Sequence, residues 1–508
     1  MAASVKSPRR AVFVLFGCLY LLSLGGGFYS SDGEVMFKTT TALVERHSLA
    51  LAADPGLPQI IQGKNNLYYS KYDPGLPLIG VPFYAAGDWI AQINHAHRTR
   101  LAAIFYLMIP ALSAAGSLAG LAALIGGNRR AMAILLAAGL ASPLWVYGRT
   151  LFAEAALACA LTWAVAAISL QLSAVSQSEN ANRRGAASST QNLPLSNRVG
   201  EGVGGEAIFP VFAAGIIFGI GMLIRVSLVI YLPALVWMMI GPHPWHKKQD
   251  PECRGAACRA QFFHALPQWA AFAAGMLPFV LILGWHNGLR FGNPFEFGYA
   301  GEGFTTPPWK GIAGLLISPG KGIFIYAPPL ILSAILWPRF RKTAPALADF
   351  LALAWITALL FYGSWWAWDG GWCWGPRFLV PLIPLSTLPL LALPPGRCWR
   401  LLLAGLILAG IVVQFPGVIT DVIPHYAETA AGQAADINQI NFTISDSPLA
   451  GAIRRLWHGQ PEPLAVFHLH DTGLPLTWTA GVPAVLIAGA LIVLWSIIKD
   501  VIIRRDKP

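Results

Sequence analysis

The chain has 508 residues, of which 55% are apolar and 12% charged, with a mean hydropathy of +0.56. Soluble domains carry about 25% charged residues, so this composition excludes a soluble globular enzyme, a disordered chain and a fibrous one. The net charge of +11 does not signal a nucleic-acid partner, because Lys and Arg stand in short clusters between long apolar runs, as in a polytopic membrane protein.

Lys6, Arg9 and Arg10 precede the apolar run 11–28. No small-residue cleavage site follows it and more runs do, so it reads as a first span with the N-terminus in the cytoplasm. Further runs lie at 101–126, 131–148, 152–173, 208–223, 227–241, 266–287, 320–337, 346–363, 378–394, 401–420 and 479–498. Each approaches the ~20 residues that cross a bilayer, which gives an all-α fold of about twelve transmembrane helices. Residues 76–93 are apolar too, but they contain Pro77, Pro82 and Asp88 and lead into His95-Ala-His97-Arg98. Counted as a span, they would turn Arg129, Arg130, Lys247, Lys248, Arg339, Arg341 and Lys342 outward. Laid in the outer interface, they leave all of these in the cytoplasm, as the positive-inside rule requires.

On this map, three sizeable segments lie outside the membrane: 30–100, 288–319 and 421–478. The organisation is a transmembrane catalytic region over 1–420, with 30–100 as its first outer loop. An outer loop region follows over 421–478, then a last helix and cytoplasmic tail over 479–508. The Ser-, Ala- and Asn-rich segment 174–207 reads as a flexible cytoplasmic linker. No internal repeat is visible. Cys373 is the one outward cysteine, so no outer disulfide can form. The C-x4-C pair Cys253 and Cys258 lacks two further metal ligands.

Charged groups at the outer ends of spans carry the chemistry. Ser31-Asp32-Gly33-Glu34 follows the first span; a solvated helix cap is its bland reading. Tyr68-Tyr69-Ser70-Lys71-Tyr72-Asp73-Pro74-Gly75 sets a lysine among tyrosines beside a turn, a good seat for a lipid phosphate. Glu154 opens an apolar run, where an unpaired charge is costly; a pair with Arg149 is the structural alternative. Arg225 interrupts the apolar stretch 208–240, and Arg377 stands behind Trp365, Trp366, Trp368, Trp372 and Trp374. Carboxylates beside basic groups suit transfer from a phosphate-linked donor: the acid takes the acceptor's proton and the cations hold the departing phosphate. His468 and His470 form an H-x-H pair that a strand would aim to one side, although a polar loop is the favoured reading. Asn441-Phe-Thr443 fits a glycosylation sequon.

At these residues the sequence resembles the GT-C membrane glycosyltransferases, the superfamily of protein O-mannosyltransferases and lipid A aminoarabinose transferases. The match rests on Asp32 and Glu34 in the first outer loop, Glu154 between the third and fourth spans, and a Lys71-to-Pro74 element like Lys-x-x-Pro. Segments 285–294 and 318–324 and Gly375-Pro-Arg377 look like blocks of bacterial members. The resemblance implies an inverting transfer from a polyprenyl-phosphate sugar to a lipid, glycan or protein acceptor, outside a bacterial inner membrane. It implies Asp32 as general base, with Glu34 and Glu154 as its acidic companions. Lys71, Tyr72, Arg149, Arg225 and Arg377 would meet the donor phosphate. A divalent metal is left open. The competing readings are a secondary transporter and a lipid-linked glycan ligase or polymerase.

Overall fold

A computed structural model describes residues 8–126, 128, 130–188, 204–240, 251–432 and 437–505. Arg129, Lys247, Lys248 and residues 189–203 of the 174–207 linker lie outside the described residues, as do the side chains of Cys253 and Cys258; 174–188 and 204–207 continue the flanking helices. The fold is helical. Among the described residues, six helices are long and apolar enough to cross a membrane: Arg98–Ile125, Glu154–Leu172, Ala265–Phe291, Pro345–Ser364, Arg397–Ile419 and Leu476–Ile497. Three shorter apolar stretches, Ile208–Ile224, Val226–Met239 and Arg377–Ala392, accompany them.

The remaining runs are interrupted where the backbone chemistry requires it. The first helix, Pro8–Leu22, ends before Gly25-Gly26-Gly27 and spans only 15 residues, since successive glycines favour the unfolded chain. Run 131–148 divides into Ala131–Gly139 and Leu144–Arg149 around Pro143. Run 320–337 divides into Ile323–Tyr326 and Pro329–Thr343 at Pro328-Pro329. Run 378–394 winds as short 3₁₀ and α turns carrying Pro381, Pro384 and Pro389. Proline lacks the N–H of the helical ladder and clashes with the preceding turn; apolar composition does not register that break.

Residues 76–93 form the helix Gly75–Asn94, which ends at His95 in the left-handed region. It lies against Arg98–Ile125, where a Cβ on Gly87 would come within 2.7 Å of the Ala102 Cα. Just before it, Ile60–Gln62 and Tyr68–Ser70 pair antiparallel in a two-stranded ribbon, a small exception to the all-α expectation. Segment 421–478 folds as the short helices Ile423–Gly432, Ile437–Phe442 and Pro448–Trp457 and two 3₁₀ turns. Backbone bonds from Ala465 to Leu24 and from Glu462 to Ile419, both 2.9 Å, tie it to the ends of two helices.

Candidate active site

Asp32 sits in the first turn of the helix Ser31–Arg46. Ser30, in extended conformation, caps that helix by accepting the Gly33 N–H at 3.0 Å. A Cβ on Gly33 would fall 2.8 Å from the Leu151 carbonyl oxygen, so only glycine lets this turn pack on the connection that leads to Glu154. Residues two apart on a helix differ by about 200° in direction. Asp32 is therefore buried while Glu34 is half-exposed and pairs with Lys38 at 3.0 Å.

The other charges arrive from separate breaks in the helices. Glu154 begins the helix Glu154–Ser188, and Arg225 is the extended residue between Ile208–Ile224 and the 3₁₀ turn Val226–Tyr231. Arg377 opens the turn Arg377–Leu382. It follows a loop in which Gly370, Gly371 and Gly375 all have positive φ, a conformation costly for other residues. Buried Lys321 pins that loop by donating to the carbonyls of Gly371 and Cys373 at 2.8 and 2.9 Å. Lys71 and Tyr72 stand after the ribbon, where buried Arg290 donates to the carbonyls of Ser70 and Tyr72 at 2.5 and 2.9 Å. The chain then turns at Pro74-Gly75, against the end of the helix Ile208–Ile224; a Cβ on Gly75 would meet its backbone at 2.5 Å.

These segments build one charge network. Arg377 bonds the Asp32 carboxylate through Nη2, and its Nε donates to Glu154 Oε1 at 2.7 Å. Arg225 Nη1 donates to the same Glu154 oxygen at 2.7 Å. Tyr72 donates its hydroxyl to Asp32 Oδ1 at 2.5 Å. Two guanidiniums and two carboxylates thus neutralise one another in a site largely shut from water. Burial pushes the Asp32 carboxyl upward, but Arg377, Arg225 and the Tyr72 hydroxyl outweigh it and hold Asp32 below its ordinary value. Asp73, one residue beyond Tyr72, has no such pairing: burial raises it to about 6, although Oδ2 accepts the Val226 N–H at 2.8 Å.

A cleft of about 720 Å³ opens beside the network, lined by Asp32, Glu34, Lys71, Tyr72, Arg225 and Arg377 among others. Six of the eight residues singled out in the sequence therefore share one cavity. Glu154 is not in its wall; it is buried beneath Arg225 and Arg377, so it positions them. Arg149 is a correction. Its side chain is not in the cleft wall: it donates to the carbonyls of Gly417 and Thr420, both at 3.1 Å, and lies behind the wall residue Tyr29, over its ring. Nor does it pair with Glu154, because the chain leaves the helix between them at Thr150–Ala153.

Tyr299 and Glu302 also line the cleft and carry no signal in the sequence, whereas Trp366 in the same wall belongs to the tryptophan cluster before Arg377. Lys71 bonds Glu302 at 2.8 Å and rests over the Tyr299 ring at 5.0 Å. Only the glycines around Glu302 hinted at a special loop. Among the described residues, no three of His, Cys, Asp and Glu converge on a metal position. Of the cleft carboxylates, Asp32, Glu34 and Glu302 are each matched by a protein cation and Asp421 accepts the Ile423 N–H at 2.9 Å, a donor set that does not fit a divalent ion. His468 and His470 lie in turns rather than on a strand, and both reach Asp471. Asn441 is fully buried and donates to Asp369 at 3.0 Å, which removes the sequon from glycosylation in the folded chain.

No protein-family model matches the chain, and no curated protein matches it. Among solved structures it is similar to ArnT from Cupriavidus metallidurans bound to undecaprenyl phosphate, at 15% identity and a TM-score of 0.48. That match covers 96% of this chain and 74% of the other. The apo state of the same protein matches at 14% identity and a TM-score of 0.47, covering 96% and 76%.

Proposed function

We propose that the chain is a GT-C-type integral-membrane glycosyltransferase. It moves a sugar from a polyprenyl-phosphate-linked donor to an acceptor on the extracytoplasmic face, with inversion. The observation that carries this reading is Asp32: an ionised carboxylate in the wall of a cleft, tied to Arg377 and next to Arg225 and Lys71. The acceptor hydroxyl attacks the anomeric carbon from the face opposite the phosphate, and Asp32 takes its proton. The bond between that carbon and the phosphate oxygen breaks, and polyprenyl phosphate leaves with the electron pair. Arg225, Arg377 and Lys71 meet the charge on the leaving group. A transporter would show two related halves, and no internal repeat is visible in the sequence.

The topology belongs to the same proposal: twelve spans in a bacterial inner membrane, Gly75–Asn94 in the outer interface and the cleft opening outward. Native Cys398 is exposed and falls on the cytoplasmic side of this map. A membrane-impermeant thiol reagent should label Glu34→Cys in intact cells, but Cys398 only after permeabilisation. Labelling of Cys398 from outside would invert the map.

The activity test is purified protein in detergent with a panel of polyprenyl-phosphate sugars, read as release of polyprenyl phosphate. Turnover with at least one donor, lost in Asp32→Asn, is expected. A protein that turns over no donor and binds no polyprenyl phosphate would reject the reading.

A further inference from the structure

The three cations of the cleft differ in what neutralises them. Arg225 and Arg377 are matched by Asp32 and Glu154, whose side chains are 12% and 1% exposed. Lys71 is matched by Glu302, and that pair is 18% and 21% exposed. Glu302 belongs to no helix or strand. It sits in the loop 292–307, between Gly301 and Gly303, and a Cβ on either glycine would meet nothing within 4 Å. At the other end of this stretch, Gly298, at φ +78°, packs on Lys71 itself, with the Lys71 Cβ 3.1 Å from an added Cβ. The tip is held by Trp366, whose Nε1 donates to Glu302 Oε2 at 3.0 Å and whose N–H donates to the Gly303 carbonyl at 3.0 Å.

With Glu302 in place, the cleft does not attract a phosphate. Its wall carries three cations, Lys71, Arg225 and Arg377, against four carboxylates, Asp32, Glu34, Glu302 and Asp421. Three of those carboxylates are fixed by the helix Ser31–Arg46 or by the backbone: Asp421 accepts the Ile423 N–H at 2.9 Å. Glu302 is the one on a glycine-flanked tip. Its two oxygens, one on an ammonium and one on an indole N–H, occupy donors that a phosphate oxygen would take equally well.

We propose that Glu302 is a built-in stand-in for the donor phosphate: it holds Lys71 until the phosphate of the polyprenyl-phosphate sugar displaces it, and segment 298–303 then lifts from the cleft mouth. The inference rests on the donor reading above and adds to it a residue that sets donor affinity by competing for the same cation. Displacement needs no covalent step. One anion leaves Lys71 and Trp366, and another arrives.

The test uses the whole protein in detergent with undecaprenyl phosphate as the probe, comparing the parent, Glu302→Gln, Lys71→Gln and the double variant. Glutamine keeps the size of Glu302 and its bond to the Trp366 indole but removes the charge. Glu302→Gln should tighten binding by roughly two- to fivefold, the range for releasing a partly exposed ion pair. That gain should vanish in the Lys71→Gln background. In the parent, hydrogen exchange at 298–303 should rise when undecaprenyl phosphate binds. If the parent binds but Glu302→Gln binds equally or more weakly, Glu302 is a wall residue or a direct ligand and the proposal falls while the donor reading stands. A gain that persists without Lys71 also overturns it. A parent that binds no undecaprenyl phosphate rejects the donor reading itself.

Discussion

The two charge clusters on either side of the cleft use the same groups for opposite ends. In the Asp32–Arg377–Glu154–Arg225 network, four chain segments converge on a region where the most exposed side chain, Arg225, is 15% open. Across the cleft, Lys71 and Glu302 form a single pair on a ribbon end and a loop tip. Ions withdrawn from water keep their place only if each has a partner, and removing one partner of a buried pair costs about 3–5 kcal/mol. A more exposed pair gives up well under that. The buried network therefore fixes geometry, and the looser pair can exchange a partner. A phosphate-handling site needs both: arms that stay aimed and one cation free to change hands.

Glu154→Gln breaks the network at its centre and should have the largest effect. Glutamine leaves Arg225 and Arg377 sharing Asp32 alone, so stability should drop by about 3–5 kcal/mol, read as the midpoint of thermal unfolding in detergent. Glu302→Gln should leave that midpoint nearly unmoved. If both variants unfold alike, the contrast between a fixed and a releasable cluster is wrong.

Asp73 sharpens the contrast from within the buried side, because it is a carboxylate there without a cation on it. Its value near 6 stands above the ordinary 3.8. Between about pH 4 and 6 the folded chain keeps a proton that the unfolded chain has released, so this group's stability contribution falls as pH rises and levels off above 6. Asp73→Asn cannot titrate. Its stability relative to the parent should therefore improve by up to about 3 kcal/mol between pH 4 and pH 7. Asp32 carries the opposite sign, since its lowered value protects the fold until the pH drops below the ordinary carboxylate range. A difference between Asp73→Asn and the parent that stays flat with pH would show that Asp73 is ionised at no cost.

Asp32→Asn keeps the bulk of the side chain and removes the proton acceptor. Positioned proton abstraction contributes about 10²–10⁴-fold, so turnover should fall at least about a hundredfold with undecaprenyl-phosphate affinity little changed. If turnover survives in Asp32→Asn and is lost in Glu154→Gln at a temperature where both are folded, the base is Glu154.

Much of this site was legible because charge is scarce in so apolar a chain. A carboxylate or guanidinium at the edge of an apolar run stands out, and its place along the run gives its depth. Asp32, Arg225 and Arg377 carry that signal, although Asp32 and Arg377 are 345 positions apart, while Lys71 stands out as a lysine among tyrosines beside a turn. Depth does not give direction around a helix. Arg149 has the same depth signal and faces Gly417 and Thr420 instead. Glu302 has no depth signal, because it lies in a polar loop and meets Lys71 across 231 positions. Helix continuity is not legible for a different reason: apolar composition counts Pro143, Pro328 and Pro384 with their neighbours, while the backbone responds to their missing N–H.

The smallest effect should come from Glu34, and it decides whether the acidic motif acts as one unit. Glu34 lies two residues beyond Asp32, turned about 200° away on the same helix. Its partner is Lys38 at 3.0 Å, with side chains 45% and 39% exposed. Lys38 keeps a second carboxylate, Asp54, at 2.9 Å, so it is not left unpaired when Glu34 is neutralised. Exposed helix pairs four residues apart contribute about 0.3–0.5 kcal/mol, and a carboxylate in the first turn adds a similar amount against the helix dipole. Glu34→Gln should therefore lower stability by no more than about 1 kcal/mol. Turnover should stay within about threefold of the parent, well under 1 kcal/mol in the barrier. Were Glu34→Gln as slow as Asp32→Asn, both carboxylates of the cleft wall would have to serve the reacting sugar, and the acidic motif would act as one unit.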